Sequence, residues 1–271
     1  MKPKGIIFTA ESVRSIIDER KTMTRRVVKH PEYYGCLTGD CPHNHKDDCA
    51  KSLAEQAPYK IGQQLWVRET WRTQSMPEYD PIVIGYKDGA TMEERSDGCE
   101  PGYDDWYETM SIQLTEDCEK AGLEMDAEGR YHWDHDDCPC RWRSPMFMPR
   151  WASRITLEVT GIRCERVQDI SESDAITEGC EGLEWTDYHQ DMNGEFTGSM
   201  SFERDFIADY QQKWDHINAK PKPVKGADGK VSHYVSYTWE AINETREFRG
   251  KLWYVVGNAW VWVFDFRVVT P

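Results

Sequence analysis

Apolar residues fall in short groups whose spacing changes between the helical and the extended period. Gly5-Ile6-Ile7-Phe8-Thr9 reads as a short buried strand. From Ala10 to Arg20, Val13, Ile16 and Ile17 recur at i, i+3, i+4 while Glu11, Arg14, Asp18 and Glu19 face away, which predicts a helix capped by Thr9. Lys21-Thr22-Met23-Thr24-Arg25-Arg26 has no such period and predicts an extended exit. Strands follow at Leu65–Glu69 and Pro81–Tyr86, and a helix is expected around Asp105–Ala121. Arg154 to Thr160 alternates apolar and polar residues, Gly161 is expected to break the strand, and Ile162 to Val167 resumes it. Ser171-x-x-Asp174 is a capping signature, predicting a helix from Glu172 to Glu178 that stops at Gly179. Phe202, Phe206, Tyr210, Trp214 and Ile217 form one apolar stripe, predicting a single helix through all five. Trp260 to Val269 is the clearest strand.

Between these segments lie four expected insertions. Residues 31–58 are loop-like and rich in Cys and His, 88–140 are acidic, and 184–200 and 220–256 complete the set, with a polar loop at 220–230. Strands stand at both ends and parallel βαβ repetition is missing. The pattern predicts one α+β domain over residues 1–271, a small mixed β-barrel with flanking helices and long insertions.

Composition narrows the function classes. The 271 residues include 12 Trp, 13 Tyr and 8 Phe, too many aromatics for a chain disordered throughout. No stretch approaches the roughly 18 apolar residues of a spanning helix, and the start lacks the pattern of a secretory signal, so a cytoplasmic protein without membrane contact is expected. The net charge of -15 argues against tight nonspecific binding to long nucleic acid, which rests on Lys and Arg neutralising phosphates. It leaves room for a local basic pocket, and residues 20–30 are basic with no acid among them. Nine cysteines is an odd count that argues against a full set of disulfides.

Cys36, Cys41, His43, His45 and Cys49 supply soft and imidazole ligands in one short segment. Structural zinc takes four such ligands, so Cys36, Cys41 and Cys49 with either His43 or His45 are a candidate site. A polar loop with reduced thiols is the competing reading, and Cys138-Pro139-Cys140 is an alternative ligand source. Arg68 is open to two roles, holding a phosphate or neutralising Glu69. Arg150, Ser153 and Arg154 are equally open between phosphate contact and structural pairing.

Four anchors resemble a known family. They are Ile16-Ile17-Asp18-Glu19-Arg20-Lys21-Thr22-Met23-Thr24-Arg25-Arg26, then Leu65-Trp66-Val67-Arg68-Glu69-Thr70-Trp71, then Met148-Pro149-Arg150-Trp151-Ala152-Ser153-Arg154 continuing to Asp174-Ala175-Ile176-Thr177-Glu178-Gly179, and finally Asn258-Ala259-Trp260-Val261-Trp262-Val263. Together they resemble the ASCH-domain proteins of phages and prophages, in the PUA-like superfamily. The resemblance implies a PUA-like barrel with a cleft for a nucleoside, an RNA segment or a modified base. A small bacterial member hydrolyses the amide of N4-acetylcytidine with a Lys, a Thr three residues later and a distant Glu. Residue by residue these fall on Lys21, Thr24 and Glu178, with Thr22, Arg25, Arg26, Arg68, Glu69, Arg150, Ser153 and Arg154 as binding candidates.

Amide hydrolysis needs a nucleophile, a base and a proton donor to the leaving nitrogen. A lysine serves as base when desolvation and neighbouring cations lower its pKa. The chemistry requires no cofactor. Two other classes remain open: a binding module without chemistry, and a phage-encoded protein that contacts a host protein through its acidic insertion.

Overall fold

A computed structural model of the chain describes residues 1–29, 46–75, 82–94, 103–134, 137–190 and 196–269. The N-terminal elements are β1 (Lys4–Ile7), α1 (Ala10–Ile17), β2 (Met23–Val27), α2 (Lys46–Glu55), β3 (Gln64–Arg68), β4 (Trp71–Ser75), β5 (Ile82–Tyr86), β6 (Thr91–Glu94) and α3 (Tyr103–Lys120). After them come β7 (Thr156–Arg166), α4 (Glu172–Thr177), β8 (Leu183–Gln190), β9 (Phe196–Asp205) and α5 (Phe206–Asn218). The chain ends with β10 (Lys222–Lys225), β11 (Val231–Thr238), β12 (Glu244–Phe248), β13 (Lys251–Gly257) and β14 (Trp260–Val269). The α+β class is borne out. Among the described residues no sheet closes into a barrel.

The chain divides into two compact units. The first holds Met1–Arg14, Gln63–Leu157 and Val268–Pro271. There β1 pairs in parallel with β3, Ile6 opposite Val67, and β4, β5 and β6 form an antiparallel meander. Trp71, Ile82, Ile84 and Tyr86 from that meander pack with Met110 of α3, Met148 and Ala152. Alternation along the strands and the helical period of α3 bring these apolar side chains to a shared core.

The second unit holds Ser15–Gly62 and Glu158–Arg267. Its strands β7, β14 and β2 lie side by side, with β14 antiparallel to β2. The register sets Trp262 opposite Arg26, Val263 opposite Arg25 and Phe264 opposite Thr24. A second sheet runs in the order β10, β11, β13, β12, and β8 and β9 form a hairpin. Met23, Ala175, Tyr210, Trp214, Val235, Tyr237, Val256, Val261 and Val263 share one core.

Several expectations change. Within the stretch read as loop-like, Lys46–Glu55 is helical, and it is anchored by Leu53, which is fully buried and whose carbonyl accepts from Trp262 Nε1 at 2.6 Å. Residues 222–257, read from the sequence as an insertion with a polar loop at 220–230, hold four strands, and they supply Val235, Tyr237 and Val256 to the core. Gly161 does not break β7. A Cβ there would meet Asp265 Oδ2 at closer than van der Waals range, so the glycine admits a neighbouring carboxylate and the strand runs on. The five-residue stripe also splits. Phe202 belongs to β9, and Asp205 starts α5 by accepting from Ala208 N at 2.8 Å.

Candidate functional site

The site grows from the chain between α1 and β2. The amides of Arg20 and Lys21 both donate to Ser15 O at 2.9 Å, so the helix end turns back on itself. Thr22 N donates to Thr177 O, and Thr22 O accepts from Phe266 N, each at 2.9 Å, which holds the segment extended. Opposite it, Ser171 caps α4 by accepting from Asp174 N. The helix closes with Gly179 N on Ile176 O and Cys180 N on Ala175 O, and Gly179 adopts φ +87°. This paired closure is the Schellman arrangement, which favours glycine at the left-handed position.

These two ends present Lys21 and Glu178 to each other as an isolated antiparallel bridge. Lys21 Nζ donates to Glu178 Oε2 at 2.5 Å and to the Glu178 carbonyl at 2.7 Å. Both side chains are buried, 5% and 6% exposed. Arg25 Nη1 donates to the other carboxylate oxygen, Oε1, at 3.2 Å. The same guanidinium bonds Glu165 at 2.6 Å and Asp174 at 2.7 Å, and its side chain is fully enclosed. Arg163 closes the cluster on Asp174 at 2.5 Å and on Glu165 at 2.9 Å. The Tyr210 ring lies beneath Arg25, 5.7 Å from the guanidinium carbon.

Electrostatics shift Lys21 toward its neutral form. Burial lowers its pKa, Glu178 opposes through charge and hydrogen bond, and Arg26 adds to the lowering; the net direction is down. Arg25 goes the other way: burial opposes its charge, but Glu178 and Glu165 outweigh that and hold it ionised. Burial also raises Tyr210, and it pushes the Cys180 thiol up to about 12.

The remaining candidates are distributed as follows. Thr24 is buried and alternates along β2 with Met23 and Arg25, so it points to the opposite face from Arg25. Arg26 shares that alternate position, and Thr22 is exposed. Arg68, Glu69, Arg150, Ser153 and Arg154 belong to the first unit. There Arg154 grips Glu69 through two bonds, 2.9 and 2.8 Å, reaches Asp88 at 2.5 Å and lies over the Tyr86 ring. Ser153 Oγ donates to Val67 O at 2.8 Å, Arg68 lies 4.2 Å above the Trp66 ring, and Arg150 is exposed. In that unit the ion pair of Glu69 is thus with Arg154.

For the metal candidates, Cys36, Cys41 and His43 lie outside the described residues, and Cys49 lies in α2. Among the described residues no group of three or more His, Cys, Asp or Glu is placed to hold a metal. Cys118, Cys138, Cys140, Cys164 and Cys180 are free thiols.

Sequence reasoning missed Glu165 and Arg163. Their i, i+2 spacing on β7 marks one strand face, but nothing local says that Arg25, 140 residues away, is the partner. Asp174 is legible only as a capping residue, yet its carboxylate serves Arg25 and Arg163 together.

Among the described residues no helix is long and apolar enough to cross a membrane. No protein-family model matches the chain, and no curated protein or solved structure is significantly similar to it.

Proposed function

We propose that the chain is an ASCH-type, PUA-like protein that recognises a cytosine nucleoside and hydrolyses the amide of an N4-acylated cytosine. The observation that carries this reading is the 2.5 Å contact between Lys21 Nζ and Glu178 Oε2. The resemblance selects these two residues although they lie 157 positions apart in the sequence, and burial lowers the lysine pKa as a general base requires.

In this reading neutral Lys21 takes the proton from the attacking oxygen as that oxygen bonds to the acyl carbon. The C–N4 bond then breaks, and the proton passes through Glu178 to the leaving amine. The resemblance assigns the attack to the Thr24 hydroxyl, forming an ester that water later opens; since Thr24 alternates to the face of β2 opposite Arg25, a water activated directly by Lys21, which gives the same products, fits the strand better. Thr24→Val separates the two, since only the first route stops.

The test is hydrolysis of N4-acetylcytidine by the full chain, followed as release of cytidine and acetate. Activity is expected to rise with pH through an apparent pKa below the ~10.4 of free lysine, and Glu178→Gln to slow it by about 10²-fold. Wild-type protein without turnover at high concentration refutes the hydrolase. One observation favours a binding-only alternative: Lys21 is held by both the carboxylate and the carbonyl of Glu178, a paired arrangement that can stand as structure alone. Saturable nucleoside binding without product identifies that case.

A further inference from the structure

An open cavity of about 500 Å³ lies within the second unit. Its wall includes Arg20, which precedes Lys21, and Cys180, two residues beyond Glu178. The volume lies in the range of small-molecule sites. Four charged side chains line it in two ion pairs, Arg20 with Glu181 at 3.1 Å and Arg204 with Glu184 at 2.5 Å. All four are 41% to 73% exposed, so each pair contributes little to stability and can exchange partners with a ligand. The apolar part of the wall comes from Phe206, the first residue of α5.

The floor is fixed. The amides of Glu181 and Gly182 both donate to Asp209 Oδ2, at 2.9 and 3.0 Å, and Asp209 is itself buried and paired with Lys213. Gly182 sits at φ +79°, and a Cβ there would meet Arg204 Cβ at 2.9 Å and the Phe206 ring at 3.2 Å. The close approach of Arg204 and Phe206 to this loop therefore requires glycine.

We propose that this cavity binds a free ribonucleoside 5′-monophosphate, with the phosphate between Arg20 and Arg204, the ribose diol on Glu181 or Glu184, and the base against Phe206. The guanidinium fork matches phosphate oxygens. Carboxylates accept from ribose hydroxyls, as in dinucleotide sites, and an aromatic face stacks on any base. The two arginines face two glutamates, and Asp18 also holds Arg20 at 3.1 Å, so inorganic phosphate finds no net attraction; a ligand carrying both phosphate and diol satisfies both signs. The proposal rests on the reading of Lys21 and Glu178 only for the identity of the base, cytosine.

Calorimetric titration of the full chain tests it. Cytidine 5′-monophosphate is expected to bind at least about 10-fold tighter than cytidine, inorganic phosphate or the 2′-deoxy nucleotide. A 5′-phosphorylated oligocytidylate, whose internal linkages remove the diol, is expected to bind more weakly than the free nucleotide. Arg204→Ala and Arg20→Ala should each weaken the nucleotide about 10-fold and leave cytidine within 2-fold, with Arg204→Lys intermediate. Equal affinity for nucleotide and nucleoside, a tighter oligonucleotide, or indifference to both arginine variants overturns the proposal. Nucleotide binding with no amide hydrolysis removes the hydrolase and keeps this site. Hydrolysis of acetylcytidine with nucleotide binding blind to the arginines does the reverse.

Discussion

Gly179→Ala is the sharpest perturbation of the turn that carries Glu178. Gly179 holds φ +87°, where an L-residue costs about 1–2 kcal/mol. The added Cβ would lie 2.9 Å from Ser15 Cβ and 3.1 Å from Lys21 Cβ. Both contacts are at the roots of buried side chains, which cannot swing away, so overpacking adds about 1–3 kcal/mol. The sum is a loss of about 3 kcal/mol. Gly229 provides the control: its φ is +74°, in the same unit, but a Cβ there meets nothing within 4 Å. Gly229→Ala should therefore show the backbone cost alone, about 1 kcal/mol. Urea unfolding at pH 7, read by tryptophan fluorescence, measures both as midpoint shifts at constant slope. A difference of about 2 kcal/mol between the variants isolates the contact with Ser15 and Lys21. Variants equal to within about 0.5 kcal/mol would show that the helix α4 turn does not press on Lys21.

Arg25→Met should cost about 3 kcal/mol at pH 7, because it takes a fully enclosed cation from three carboxylates and leaves Glu178 to Lys21 and Glu165 and Asp174 to Arg163. An unchanged urea midpoint would remove the network. Asp88 has its folded-state pKa lowered: burial opposes its charge, but the Arg154 hydrogen bond, the Ala90 amide and the Arg154 charge together outweigh that. Its contribution is thus present above the unfolded value of about 3.9 and lost as pH falls through the folded one, so the wild type–Asp88→Asn stability gap should close toward pH 2. A gap independent of pH contradicts that pairing. Asp205→Ala should cost about 1 kcal/mol by thermal melting, with Asp205→Asn close to wild type, since the side chain caps α5.

What the sequence makes legible is local. The capping signature at Ser171, the stop at Gly179 and the strand from Trp260 are written in neighbouring residues, and the structure places each where the pattern does. The errors come from forces that neighbours do not carry. Phe202 shares the helical spacing of Tyr210 and Trp214, but the Asp205 cap and pairing with Thr186 decide in favour of a strand. Gly161 looks like a breaker until Asp265 is brought beside it. Residues 222–257 look polar because β10 and β12 are largely exposed, while β11 and β13 bury consecutive runs that include Tyr237 and Val256. Glu178 was reached through a motif, whereas Glu165 has no motif and becomes visible only when β7 and β2 lie in one sheet.

In the proposed hydrolysis, the charged cluster would let a lysine beside a glutamate work as a base. A simple buried Lys–Glu pair would hold its proton, because losing it leaves an unpaired buried carboxylate. Here Glu178 has a second cation: Oε2 faces Lys21 while Oε1 faces Arg25, which stays charged. Neutral Lys21 therefore leaves Glu178 still paired. Arg25 can serve in this way because Glu165 and Asp174 share Arg163 with it, so no carboxylate in the cluster depends on Lys21 alone. In that proposed reaction Arg25, whose side chain is fully enclosed, would be a positioning residue, and its effect would be read in the pH profile. Arg25→Lys retains a charge but loses the fork that spans three carboxylates. It should shift the apparent pKa of turnover upward, because Glu178 then leans more on Lys21. A profile unchanged in Arg25→Lys, at full folding, would leave the lowered lysine to burial and Arg26 alone.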